Sequence, residues 1–166
     1  AQHAPSVTSK GITSQITGSR ADLIIADDIE VTNNSMTQVM REKLSETVKE
    51  FDAVIKPGGR IIYLGTPQSE NSIYNLMPDR GYEIRIWPAR GPDEKQRTAY
   101  GDRLAPMIRE IAPGKPTDPD RFDEGELIER ELSWGRSGFA LQFMLDTSLS
   151  DADRFPLKIN DLIVMD

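Results

Sequence analysis

Leu23-Ile24-Ile25-Ala26-Asp27-Asp28 is the stretch on which the fold turns. Four apolar residues in a row, without alternation, are the pattern of a parallel strand covered on both faces. Two carboxylates then follow where open α/β sheets bind their ligands, at the carboxyl end of a strand. An apolar strand that ends in consecutive acids is the Walker B pattern. A rigid strand can hold one acid, Asp27, against a Mg²⁺ that bridges nucleotide phosphates, and can leave the next, Asp28, to orient or deprotonate an attacking water. Glu30 competes for that second role, because alternation along a strand sets it on the same side as Asp28. The plainer alternative is a strand that ends in a solvated acidic turn.

Upstream, Gly11 to Ile16 reads as a further short strand, joined by Thr17-Gly18-Ser19-Arg20. Seven residues at about 3.3 Å each put Arg20 roughly 23 Å from Asp27 if fully extended. Arg20 is therefore poorly placed for its own site and better placed to reach a neighbour's nucleotide as an arginine finger. The alternative is a structural Arg paired with Asp22 or a nearby carbonyl.

Downstream, the turn residues Val31 to Ser35 precede an amphipathic helix over 36–55, with Met40, Leu44, Val48, Phe51 and Ile55 on one stripe. Lys56-Pro57-Gly58-Gly59 stops it. Ile61 to Leu64 is the next strand, and it runs into Gly65-Thr66-Pro67-Gln68. A small polar loop at a strand's carboxyl end can sense a terminal phosphate, although Gly and Pro there also make an ordinary turn. A short helix over 72–77 and an alternating edge strand over 82–87 follow. Strand, long helix, strand, short helix, strand is the rhythm of an α/β sheet. After Pro88 the composition changes to a proline-rich, α-rich region, with helices expected over 94–111, 123–132 and 138–145. Phe139, Phe143 and Met144 read as core or packing surface, and Asp123 as a helix cap. Arg130, Trp134 and Arg136 read as structural, with a contact to DNA backbone or a neighbouring subunit as the alternative.

Composition narrows the chemistry. The 166 residues include no cysteine, and the single histidine is His3, which argues against thiolate or histidine metal cages and a Ser-His-Asp triad. No apolar run approaches the roughly 20 residues of a membrane span, and the first residues lack a signal pattern. A net charge of -7 means that any DNA contact must come from a local patch or from elsewhere. The phosphate loop G-x-x-x-x-G-K-[ST] is absent from the sequence. Gly114-Lys115 fails the pattern, because position 109 is Arg and Pro116 follows the Lys. Ala1 in place of an initiating Met, and a closing Leu162-Ile163-Val164-Met165-Asp166 that reads like a strand just starting, lead us to expect an internal segment of a longer protein.

Gly18-Ser19-Arg20-Ala21-Asp22-Leu23-Ile24-Ile25-Ala26-Asp27-Asp28, Ile62-Tyr63-Leu64-Gly65-Thr66-Pro67-Gln68 and Arg80-Gly81-Tyr82 through Trp87-Pro88-Ala89, read in series, resemble the large terminase subunits of tailed phages, nearest in type to the DNA maturase B of podovirus-like phages. Arg103 to Met107, Pro116 to Pro119 and Gly138 to Leu145 continue the resemblance in order, so it covers nearly the whole chain. The resemblance implies an α/β fold: part of an additional-strand (ASCE) P-loop ATPase core, the Walker B half, over 1–88. It further implies an α-rich linker over 89–150 and, over 151–166, a connection toward a ribonuclease-H-like nuclease domain. Asp27 and Asp28 are then the Walker B acids, and Gly65, Thr66 and Pro67 the coupling motif. The implied cofactors are ATP and Mg²⁺. The implied partners are double-stranded DNA, the prohead portal, the small terminase subunit and further copies in a homo-oligomeric ring, at work in the host cytoplasm during virion assembly. On this reading the Walker A segment lies before Ala1 and the nuclease acids after Asp166, so the chain alone neither hydrolyses ATP nor cuts DNA. The rivals are another ASCE motor such as a helicase, a non-catalytic docking module that uses Phe139 and Phe143, and a degenerate prophage remnant.

Overall fold

The decisive stretch forms β1, Ala21–Asp27, and the computed structural model describes it together with residues 6–14, 16 and 18–148 as a whole. The expected strand start at Leu162 and the connection over 151–166 lie outside the described residues. The fold is mixed α/β, with a two-stranded parallel sheet, and the chain divides into compact units over 1–65 and 66–166. The change of composition at Pro88 falls inside the second unit.

In the first unit, β1 pairs in parallel with β2, Ile55–Leu64, and the register matches Ile24 to Ile61, Ile25 to Ile62, Ala26 to Tyr63 and Asp27 to Leu64. Between them run a single helical turn, α1 (Thr32–Ser35), and a long helix, α2 (Gln38–Val54). Thr37 starts α2, its hydroxyl accepting from the Met40 amide at 3.3 Å. The buried stripe is Leu44, Val48, Phe51 and Val54. Two members of the expected stripe differ. Met40 is exposed, and Ile55 has already turned extended to begin β2, so Val54 takes its place.

Phe51 of α2 meets Tyr63 of β2, ring centroids 6.0 Å apart. The other face of the sheet is bare among the described residues: Leu23 is 50% exposed, Ile25 57%, Ile62 41% and Leu64 49%. Cover on both faces, expected from the unbroken apolar run, is therefore not what this unit shows, because among its described residues α2 is the one long helix. Where β1 advances two residues, from Ala21 to Leu23, β2 advances five, from Ile55 to Arg60, so Lys56–Gly59 bulge out of the ladder. Gly59 is required there. A Cβ would stand 2.8 Å from the Ile55 side chain and 2.9 Å from the Asp22 carbonyl oxygen. The strand expected over 11–16 is also absent from its described part. The Ser14 amide and hydroxyl both close onto the Gly11 carbonyl, at 2.9 and 2.6 Å, making a local turn with groups that a ladder would need.

In the second unit, α3 (Ile73–Leu76) continues into a 3-10 turn over Met77–Arg80, and Gly81 ends it with a left-handed φ of 86°. The segment 82–87 alternates in burial as expected, Tyr82, Ile84 and Ile86 being more covered than Glu83, Arg85 and Trp87. It does not form a strand: among the described residues it pairs through an isolated bridge between Ile86 and Leu104. The helix expected over 94–111 stops early. α4 is Glu94–Tyr100, opened by a capping box of Asp93 and Gln96 and ended at Gly101 (φ 55°, ψ -137°). Two 3-10 turns, Gly101–Arg103 and Pro106–Ile108, follow. They fold Leu104, Ala105 and Ile108 onto Tyr100 as one small core. α5, Glu124–Gln142, joins the last two expected helices across a break at Gly135 (φ 68°, ψ 170°), and Asp123 caps it through the Glu126 amide at 2.9 Å. Leu127, Phe139 and Met144 are buried together, with Phe143 stacked on Phe139 at 4.9 Å, so these aromatics are core. The Arg130 guanidinium lies 4.8 Å from the Phe122 ring centre.

Candidate functional site

Parallel pairing sends both strands out of the sheet at the same end, so two loops far apart in sequence begin side by side. Asp27 stands directly across from Leu64, and the Asp28 amide donates to the Leu64 carbonyl at 2.9 Å. The acids thus sit beside the point where Gly65 leaves β2. Strand order and register alone produce this juxtaposition.

At Asp28 the backbone leaves the strand with φ 45°, in the left-handed region that non-glycine residues avoid, Asp and Asn least. The alternation that would set Glu30 beside Asp28 therefore ends with the strand at Asp27. The three acids also differ in environment. Asp27 and Asp28 are exposed, whereas Glu30 is buried at 2% exposure, next to the buried Ile29. Val31 to Ser35 hold the turn that follows: the Asn34 side chain donates to the Ile29 carbonyl at 2.8 Å and accepts from the Val31 amide at 2.9 Å.

Thr66, Pro67 and Gln68 are half-buried and open the second unit. The Gln68 amide group donates to the Thr66 carbonyl at 3.1 Å and so tightens the loop on itself. Arg20 lies just before the amino end of β1, away from the acids, and its guanidinium donates to the Ala53 carbonyl at 3.1 Å, near the end of α2. Asp22, the other partner considered for it, pairs with Lys56 at 2.9 Å.

Among the described residues no three His, Cys, Asp or Glu side chains converge as a metal cage. Asp27, an exposed carboxylate at the end of β1, is of the donor type that could hold a hard cation such as Mg²⁺. Sequence reading missed Ser69, which is buried just after the loop. A serine between Gln68 and Glu70 carries no pattern that marks it as buried.

No protein-family model matches the chain. It is 54% identical, over 173 aligned positions, to the terminase large subunit of Enterobacteria phage T3. The alignment covers 98% of this chain and 30% of the relative. The chain is similar to a terminase large subunit. This agrees with the resemblance read from the acid-ended strand and the Gly65–Gln68 loop, and it runs through both compact units. The chain spans less than a third of that terminase's length. No helix among the described residues is long and apolar enough to cross a membrane.

Proposed function

We propose that this chain carries the acidic half of an ATP site in a phage DNA-packaging motor, as part of a terminase large subunit with an ASCE-type ATPase core. The observation that carries the reading is the level exit of β1 and β2, which sets Asp27 and Asp28 against the start of the Gly65–Gln68 loop. The 54% identity to a terminase large subunit supports it. Asp27 is the metal-side acid and Asp28 the acid that takes or orients the proton of the attacking water. Exposure favours Asp28 over Glu30 for that task, since a base must reach its water. Gly65, Thr66, Pro67 and Gln68 report the terminal phosphate. When bound, Mg²⁺ neutralises charge on the phosphates. Arg20 tethers the end of α2 within this chain, and an arginine-finger role in a ring would require it to release the Ala53 carbonyl. Double-stranded DNA, the portal, the small subunit, a homo-oligomeric ring and a nuclease elsewhere in the protein complete the proposal.

The 166 residues contain no phosphate loop, so the test belongs to a longer protein that includes one. In that protein Asp27→Asn raises the Mg²⁺ concentration for half-maximal ATPase roughly tenfold or more. An unchanged Mg²⁺ dependence would remove Asp27 from the metal's side of the site.

A further inference from the structure

Buried hydroxyl groups nearly always find a hydrogen-bond partner, because an unpaired one forfeits its water and gains nothing. The Ser69 hydroxyl is buried in a residue only 8% exposed and has no partner among the described residues. Its surroundings are otherwise well satisfied. The Ser69 carbonyl accepts from the Ser72 amide at 3.1 Å. The fully buried Ser72 caps α3, its hydroxyl accepting from the Tyr74 amide at 3.2 Å. The Asn75 side chain donates to the Glu70 carbonyl at 3.0 Å. The segment 69–75 is thus a closed turn in which one hydroxyl stands out, directly after the loop assigned to the terminal phosphate.

A ligand can shift a conformational equilibrium only through an interaction that differs between the two states. A buried hydroxyl that is unpaired in one arrangement and paired in the other supplies such a difference. We propose that Ser69 is a positioning residue for the Gly65–Gln68 loop, whose hydroxyl gains its hydrogen bond in the nucleotide-engaged arrangement and so favours that arrangement. The proposal rests on the nucleotide-site reading above.

The energetics of hydrogen bonds make a distinctive test possible. If the hydroxyl is unpaired without nucleotide, its removal costs the free protein nothing and costs the bound state a hydrogen bond. In the full-length protein, thermal unfolding is followed with and without a magnesium complex of a non-hydrolysable ATP analogue, for wild type, Ser69→Ala and Ser69→Cys. Without nucleotide, Ser69→Ala unfolds at or above the wild-type temperature. With the analogue its shift is smaller, and its apparent affinity falls about fivefold to tenfold. Ser69→Cys, a weaker donor of similar size, lies between. A lowered unfolding temperature of Ser69→Ala without nucleotide would mean that the hydroxyl is already paired, and would overturn the proposal. A full nucleotide-dependent shift in Ser69→Ala would overturn it as well, with the site reading intact. No shift in the wild type would overturn both.

Discussion

At the scale of single residues, the local environment sets what each acid and hydroxyl can do. Asp28 sits in left-handed backbone, which Asn tolerates and β-carbon-bearing residues without a local polar group resist. Asp28→Asn therefore isolates the chemistry, whereas Asp28→Ala mixes it with a backbone penalty. Tyr100 shows the same principle away from the site. Its hydroxyl donates to the Met144 carbonyl, and burial, with Asp146 and Asp93 nearby, holds its pKa well above the ordinary phenol value. The folded state thus favours the protonated phenol. Below about pH 10 this contribution is complete, because folded and unfolded chains both keep the proton. Above it the unfolded chain ionises while the folded one does not, so stability declines with rising pH. Urea unfolding followed from pH 8 to 11 should show that decline in wild type and a weaker one in Tyr100→Phe. Tyr100→Phe should also be less stable by about 1 kcal/mol at pH 8. The acids Asp27 and Asp28 were legible in the sequence because an apolar run points straight at them. The left-handed turn at Asp28 was not, since Asp takes a negative φ far more often than a positive one.

At the scale of elements, periodicity reports which side of a segment is covered and says less about what it pairs with. The helical stripe of α2 came through because Leu44, Val48 and Phe51 all fall on one face. The alternation over 82–87 gave the right burial and the wrong element: Tyr82, Ile84 and Ile86 are partly covered, yet among the described residues no strand lies alongside to complete a ladder. The helix expected beyond Tyr100 failed at Gly101 and Pro106, where glycine conformation and a missing amide outweigh the apolar spacing. Gly135 has a more demanding role, since its φ of 68° and ψ of 170° belong to a region open essentially to glycine alone. Gly135→Ala should destabilise the chain by about 1–3 kcal/mol, measured as a lower urea midpoint. An unchanged midpoint would mean that α5 runs straight through this position.

At the scale of the whole chain, an acidic composition coexists with an apolar sheet face that the described residues leave bare. Leu23, Ile25, Ile62 and Leu64 together should make the chain bind the dye ANS. Ile25→Thr combined with Ile62→Thr should reduce that fluorescence without lowering the unfolding midpoint, because neither side chain is in the core. A fall in the midpoint would show that this face is packed. The same face explains why two-sided cover was expected: the composition of β1 suits a strand with neighbours on both sides. The acids at the end of that strand are where the chemistry is proposed to lie. ATP hydrolysis by a protein that spans this chain and a phosphate loop, compared among wild type, Asp28→Asn and Glu30→Gln with nucleotide binding followed in parallel, tests it most directly. Asp28→Asn should lose at least about 100-fold in turnover while still binding nucleotide, and Glu30→Gln, where it folds, should lose much less. Full turnover in Asp28→Asn would contradict that assignment.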